Sequence, residues 1–208
     1  MGLALKMKII FEKKSYWMRS VTLIELLVAI TIFSLCVATV AGLFISAVKV
    51  QKRVLATQEL IDQASYALDY MARALRMAIK DEDGTCLTTV GPEHNYETDN
   101  NKIRFLKYDP ELNAEICQEF FLDLADNFRL KEKKSANETD NFSIPVPITS
   151  PDLRVLLFNI NISGDVLGDG LQPRVTFFLG IAGKQTSLGR PIIQVQTSIS
   201  QRNLDTAN

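Results

Sequence analysis

Residues 19–48 read RSVTLIELLVAITIFSLCVATVAGLFISAV, and this stretch decides the fold. From Val21 to Val48 there are 28 residues with a single charged side chain, that of Glu25. A helix of this length measures about 42 Å, whereas the hydrocarbon layer of a membrane is about 30 Å thick. The stretch therefore predicts a membrane-spanning helix over residues 21–48.

A removable secretory signal peptide is the alternative for this stretch. Its apolar part is about half as long, and small residues precede its cleavage site. The segment Ile45-Ser46-Ala47 has a large residue where a small one belongs. Length and local sequence therefore favour a retained helix.

The charge of the chain is unevenly distributed. Residues 1–20 carry five basic side chains and one acidic side chain, a net charge of +4, and the remaining residues carry 18 basic and 23 acidic side chains, a net charge of −5. Basic residues before an apolar helix stay on the cytoplasmic side of the membrane. This pattern predicts a single-pass protein of the inner membrane with a cytoplasmic N-terminus and an extracytoplasmic body.

Glu25 is unusual in such a helix. A carboxylate inside a spanning segment costs about 2.5–3.5 kcal/mol on the insertion scale, so it usually has a partner or a function. One interpretation is that Glu25, four residues after Val21, reaches the headgroup region by bending its side chain. The residues around it favour a functional role instead.

The signal motif, defined as Arg19-Ser20-Val21-Thr22-Leu23-Ile24-Glu25, follows a short basic leader and precedes a long apolar helix. This arrangement resembles the N-terminal signal of type IV prepilins and of type II secretion pseudopilins. In that family a basic residue and a small residue precede the cleavage point. An apolar residue, Thr, Leu, an aliphatic residue and Glu follow it.

The resemblance implies roles for individual residues. Cleavage by prepilin peptidase would fall between Ser20 and Val21, the new terminus at Val21 would be N-methylated, and Glu25 would be the acid at the fifth mature position. An α-amine has a pKa near 7.7–8, so it is mostly protonated at neutral pH. Glu25 could then pair with the amine of a neighbouring subunit and set the register of stacking, because an unpaired charge is costly in a low-dielectric bundle.

Two residues depart from the family pattern. Ser20 stands where Gly is usual, and Val21 stands where Phe or Met is commoner. The second slot accepts apolar residues. Ser20 has a β-carbon and lacks the backbone freedom of Gly, which predicts slower processing.

The helical pattern continues beyond the membrane segment over residues 49–80. Apolar or small side chains recur there at steps of three or four: Val50, Val54, Thr57, Ile61, Ala64, Leu68, Met71, Leu75 and Ile79. Such a stripe predicts an amphipathic helix that packs on a core. Asp83 and Gly84 follow Lys80 and suit a helix stop at Lys80.

Five later segments have the composition of strands: residues 103–108, 116–122, 155–162, 175–181 and 192–200. In the last segment apolar and polar residues alternate from Ile193 to Ser200, which is typical of a sheet with one buried face. The economical fold is α+β, with the long N-terminal helix packed on an antiparallel sheet, and the resemblance implies the same pilin-like fold. Residues 81–208 form the body, within which the polar, Pro-rich residues 131–151 predict a loop.

The three cysteines divide between the two regions. Cys36 lies in the membrane segment and is interpreted as apolar packing. Cys86 and Cys117 lie in the extracytoplasmic body, where an oxidising compartment favours a disulfide, with two separate buried thiols as the alternative.

No motif predicts catalysis or a cofactor. Three cysteines and one histidine are too few for a Cys/His zinc pattern, so no metal ligand is assigned. Asp123, Asp165 and Asp169 raise the question of calcium, but the segment 164–170 lacks the alternating ligands and closing Glu of an EF-hand loop. His94 is interpreted as a surface loop residue, and the near-zero net charge of −1 argues against nucleic acid.

These observations predict a structural subunit and not an enzyme. Its partners would be prepilin peptidase, other pilin or pseudopilin subunits, the assembly machinery at the membrane, and lipid. The size of the body and a short resemblance of residues 196–204 to minor pseudopilins of the J type favour a minor subunit. The alternatives are a single-pass anchored binding module and, with no visible catalytic residues, an anchored or secreted enzyme.

Overall fold

The structure is a computed structural model that describes residues 21–99, 101–135, 142–165, 171–183 and 189–202. The basic leader, with Arg19 and Ser20 of the signal motif, lies outside the described residues. The chain divides into two compact units, Met1–Ala47 and Val48–Asn208. Helix α1, Leu23–Arg76, contributes residues to both units.

In the first unit the described residues, 21–47, are all exposed. The second unit, called the body, contains the strands. Their bounds are β1 Ala78–Ile79, β2 Glu97–Asp99, β3 Lys102–Asp109, β4 Ala114–Asp123, β5 Arg129–Ser135, β6 Val146–Pro147, β7 Arg154–Ser163, β8 Arg174–Ala182 and β9 Ile192–Ser200.

All strand pairs in the body are antiparallel. A six-stranded sheet has the order β1-β3-β4-β5-β6, with β2 also paired to β3, and a three-stranded sheet has the order β7-β8-β9. The two sheets touch where the backbone N–H of Val155 donates to the carbonyl of Phe128 at 2.9 Å. The predicted α+β class is confirmed, and the five predicted strands correspond to β3, β4, β7, β8 and β9. The expectation of one sheet is corrected to two.

One face of α1 packs in the core of the body. Its buried residues are Leu60, Ala64, Ala67, Leu68, Met71 and Leu75. They pack with aromatic and aliphatic residues of both sheets, among them Phe105, Phe120, Val155 and Phe177. Full burial of one such aliphatic side chain contributes about 1.5–3 kcal/mol.

The predicted apolar stripe of the helix is only partly buried. Val50, Val54 and Ile61 are 55%, 49% and 47% exposed, and the buried face begins at Leu60. The helix also ends at Arg76 and not at Lys80, because Ala78 and Ile79 form β1 and pair with β3. Pairing with an available sheet edge outweighs the helical periodicity there.

The predicted loop at residues 131–151 is also corrected. Strand β5 extends to Ser135 and pairs with β4 over seven residues, from Asp123↔Arg129 to Cys117↔Ser135. Strand β6 lies in the same range and pairs with β5 at Val146 and Pro147. Residues 136–141 lie outside the described residues.

A buried carboxylate organises the turn after β1. Asp81 is 1% exposed, and its two oxygens accept backbone N–H groups of Gly84, Thr85, Cys86 and Leu87 at 2.7–3.3 Å. Gly84 adopts φ +68°, and an added β-carbon there would approach Pro92 to 3.1 Å. This turn places Cys86 over the sheet.

Candidate functional site

The candidate site is the start of α1, where the signal motif meets the apolar helix. Thr22 is the N-cap residue: its carbonyl accepts the N–H of Leu26 at 3.2 Å, and its hydroxyl accepts the N–H of Glu25 at 3.3 Å. The first turn of a helix has unsatisfied N–H groups, and a capping hydroxyl satisfies one of them. The helix therefore begins at Leu23, two residues after the predicted cleavage point.

The Thr22 cap was not recognised in the sequence, although a signal for it exists. Thr22-Leu23-Ile24-Glu25 matches the spacing of a capping box, in which Thr or Ser is followed three residues later by Glu or Gln. The same residues that resemble a peptidase signal therefore also specify a helix start.

Glu25 lies in the first turn of α1 and is exposed. A negative charge is favourable there because the N-terminal end of a helix carries partial positive charge. Among the residues that the structure describes, the Glu25 carboxylate has no ion-pair partner. Its position leaves it available to a group outside the described chain.

Three hydroxyl side chains further along the apolar segment form hydrogen bonds within the helix. The hydroxyl of Thr31 donates to the carbonyl of Val28 at 2.8 Å, and that of Thr39 donates to Cys36 at 2.8 Å. Ser34 donates to the carbonyl of Ile30 in the same way. These three hydroxyls need no external partner, whereas the Glu25 carboxylate has no ion-pair partner among the described residues.

By length and composition α1 is long and apolar enough to cross a membrane. Its most apolar window has a mean hydropathy of 2.5, and none of that window is buried inside the protein. The structure is consistent with a single-pass anchor at the N-terminus.

In the body, Cys86 and Cys117 form a disulfide, with a Cα–Cα distance of 5.6 Å. Both residues are buried with Leu87 and Leu106 in a small apolar cluster on the six-stranded sheet. The bridge fixes the Asp81 turn to β4. Cys36, in the apolar segment, is free and exposed.

The same face of the six-stranded sheet carries a charge ladder, defined as Arg104, Glu119 and Lys133 on β3, β4 and β5, of which the first two are buried and the third is half-buried. These residues are direct cross-strand neighbours. The Glu119 carboxylate accepts from Arg104 at 2.9 Å and from Lys133 at 2.9 Å, and its side chain is 3% exposed. Phe142 covers the ladder, since both cations lie over its ring at 5.1 and 4.5 Å.

Two of the three acidic residues considered for calcium, Asp123 and Asp165, are described, and each has other partners. Asp123 accepts from Lys131 at 2.8 Å, which holds the pKa of Asp123 below its ordinary value, and Asp169 lies outside the described residues. Asp165 accepts the backbone N–H of Asn95 at 3.0 Å. In the part of the chain that the structure describes, no group of three or more metal-binding side chains occurs.

His94, predicted to be a surface loop residue, lies partly exposed in the turn before β2 and contacts Asp165 there. Its Nδ1 lies 3.2 Å from the Asp165 carboxylate, and its side chain is 30% exposed. Burial raises the pKa of Asp165, and the hydrogen bonds from Asn95 and His94 oppose that rise. The pair joins the turn before β2 to the end of β7, a contact between distant segments that no local sequence pattern could reveal.

A family model, the prokaryotic N-terminal methylation motif, matches residues 19–41. The match begins at Arg19 and contains Ser20 and Val21, the predicted cleavage residues, the Thr22 cap, Glu25 and most of the apolar segment. No curated protein and no solved structure gives a significant match to the chain. The motif therefore identifies the N-terminal segment as prepilin-like. It does not cover the body, which is described from its structure alone.

Proposed function

We propose that this type IV prepilin-like or pseudopilin-like chain is a structural subunit of a pilus or of a type II secretion pseudopilus. The methylation motif at residues 19–41 carries the proposal, because it runs directly into an apolar helix that is exposed throughout residues 21–47. In this proposal the chain is a substrate of prepilin peptidase and not an enzyme. The peptidase cleaves between Ser20 and Val21 and methylates the new terminus at Val21.

The exposure of residues 21–47 supports a stepwise use of the helix. Before processing, the apolar side chains lie in lipid, with the leader cytoplasmic and the body extracytoplasmic. After processing, the same side chains pack against the helices of neighbouring subunits. Both environments bury apolar surface that the described chain itself leaves exposed.

Glu25 would set the axial register of that packing. Its carboxylate has no partner among the described residues, and a processed neighbour supplies an α-ammonium group one residue before its own Thr22 cap. Out-of-register stacking would leave a charge unpaired in a low-dielectric bundle. The pair acts mainly on specificity, because desolvation offsets much of the attraction.

A minor subunit is the form of this proposal that we favour. The body, from Val48 onwards, is larger than many major pilins carry. The short resemblance of residues 196–204 to J-type minor pseudopilins points the same way. A minor subunit would be incorporated in few copies beside a major subunit.

The test replaces Glu25 by Leu in a host that assembles the filament. We expect normal membrane insertion and processing of the E25L variant and a loss of most incorporation into sheared filaments. The matched control is Glu59→Leu, because Glu59 is also an exposed acid on α1 but lies in the body. Equal incorporation of E25L and of the control would contradict the register role.

A further inference from the structure

A groove lies in the body where the end of helix α1 meets strand β3. Its lining includes Tyr70, Arg73 and Met77 of α1 and Lys107 and Tyr108 of β3. Its volume is about 340 Å³, within the range of about 300–1,000 Å³ that is usual for ligand sites. We call this feature the α1–β3 groove.

Lys107 occupies a position in the groove where the strand pattern would place an apolar residue. Side chains alternate between the two faces of a strand, so Lys107 lies on the same face of β3 as Ile103 and Phe105. Those two residues are fully buried in the core, whereas Lys107 is half-buried. It therefore places a cation at the edge of the core.

Glu132 is an acid close to the groove, and its carboxylate already has several partners. It accepts from the hydroxyl of Tyr70 at 2.8 Å and from the side-chain N–H of Gln118 at 2.7 Å. Lys134 lies 3.6 Å from the same carboxylate. Burial raises the pKa of Tyr70, and the hydrogen bond to Glu132 raises it further, so the hydroxyl stays protonated and continues to donate.

The two cations of the groove have no ion-pair partner within the part of the chain that the structure describes. Arg73 is exposed and forms no ion pair, although Asp69 lies one helical turn before it. Lys107 forms none either. A carboxylate from another molecule would find both cations available.

The surroundings of Lys107 make such a carboxylate favourable. Burial lowers the pKa of Lys107, and the neighbouring Lys134 lowers it further. Asp109 and Glu132 act in the opposite direction. A half-buried ammonium group without a close counter-ion is costly, and an added carboxylate would stabilise its charged form.

The composition of the lining favours a protein as the occupant. Arg, Tyr and Met are enriched in the centres of protein interfaces, and Tyr and Arg are frequent among the residues that dominate binding. In the groove, Met77 is 48% exposed and Tyr108 is 46% exposed. A small inorganic anion would neutralise the cations and leave these two side chains open to water, whereas an acidic residue beside an apolar one would cover both.

We propose that the α1–β3 groove binds an acidic segment of a partner protein. A Glu or Asp carboxylate of that segment pairs with Arg73 and Lys107, and an apolar neighbour in the segment packs against Met77 and Tyr108. The planar guanidinium of Arg73 suits two parallel hydrogen bonds to one carboxylate.

The inference goes beyond the proposed filament function. The groove contains no residue of the signal motif, and processing at Val21 is measured separately. A chain that is processed but binds no acidic segment would overturn the groove and leave the filament proposal standing.

A defined peptide tests the groove on the full-length chain in detergent micelles. The probe is acetyl-Leu-Glu-Leu-amide, and its neutral control is acetyl-Leu-Gln-Leu-amide. The methionine methyl groups are labelled with ¹³C for NMR, because Met77 lines the groove and Met71 is buried in the core. We expect the Glu peptide to shift the Met77 signal saturably, with a dissociation constant on the order of 1 mM, and to leave the Met71 signal in place. The Gln peptide should bind about tenfold more weakly, because hydrogen bonds between charged groups are the stronger ones.

Two pairs of variants assign the cations. Arg73→Gln should weaken binding of the Glu peptide about tenfold, whereas Arg76→Gln, on the same helix but outside the groove, should not. Lys107→Gln should act like R73Q. Its control is Lys102→Gln on the same strand, because Lys102 pairs with Asp99. An unchanged signal from the core methionine shows in each case that the body is still folded.

Several results would overturn the proposal. Equal binding of the two peptides would do so, as would an unmoved Met77 signal or R73Q and K107Q variants that bind like their controls. Inorganic phosphate that shifts Met77 and competes equally with the Glu peptide would assign the groove to a small anion, and phosphatidylglycerol with the same effect would assign it to lipid. Self-association of the wild-type chain in light scattering that R73Q abolishes would assign it to a second copy.

Discussion

Apolar side chains are exposed in the apolar segment 21–47, whereas in the body they form a buried core. Leu43 in the segment is 72% exposed, whereas Leu75, on the same helix in the body, is fully buried. The body closes its core with its own strands and a disulfide. The segment has no such partners among the described residues, and its apolar side chains stay exposed. One helix therefore contains a half that packs in a core and a half that, within the described residues, does not.

The largest loss in the free energy of unfolding of the body should follow from breaking the charge ladder. Glu119→Ala leaves the buried Arg104 and the half-buried Lys133 without the Glu119 carboxylate, and breaking a buried pair such as Arg104–Glu119 costs about 3–5 kcal/mol. The control Glu115→Ala removes an exposed acid from the same strand and should change the free energy of unfolding by less than about 0.5 kcal/mol. Urea unfolding in detergent, followed by near-ultraviolet circular dichroism, measures both. Equal costs would show that the ladder does not support the body.

A matched pair of leucines compares the two halves of α1 directly. Leu75→Ala opens a cavity in the core and should lower the free energy of unfolding by about 2–5 kcal/mol. Leu43→Ala should leave the stability of the body unchanged within about 0.5 kcal/mol, because Leu43 contacts no core. The same urea experiment applies. A large effect of L43A on the body would mean that the apolar segment contributes to its fold.

The smallest effect concerns the start of the helix. Thr22→Ala removes the hydroxyl that accepts the N–H of Glu25, and loss of such a cap costs about 1 kcal/mol. Amide exchange of the first turn, measured by NMR in micelles, should accelerate about fivefold, since about 1.4 kcal/mol corresponds to tenfold. Thr31→Ala is the control, because that hydroxyl bonds a carbonyl within the helix. Unchanged exchange in T22A would refute the cap.

Strand-like composition was enough to predict β3, β4, β7, β8 and β9, and charge and length were enough to predict the apolar helix. Strand β5 was not predicted because its sequence, RLKEKKS, is dominated by charged residues, some of which pair only with the neighbouring strand, as Lys133 does with Glu119. The end of α1 at Arg76 could not be predicted from the sequence. Ala78 and Ile79 pair with β3, and this tertiary contact overrides the helical periodicity. The Thr22 cap could have been predicted, because Thr22 and Glu25 have the spacing of a capping box.

The site itself was predicted from residues 19–25. The proposed roles of these residues depend on other molecules. The partner of Glu25 would belong to another subunit, so neither one sequence nor one chain contains it. The predicted effect of Ser20 likewise depends on another molecule, since its β-carbon would matter only when the chain is bound by a peptidase.

Mass analysis of the N-terminus tests the central claim most directly. The protein is purified from membranes of a host that contains prepilin peptidase and from the same host without it. The account predicts a chain that begins at N-methylated Val21 in the first case and an unprocessed chain that retains residues 1–20 in the second. A chain that keeps its first twenty residues in the presence of an active peptidase would contradict the account.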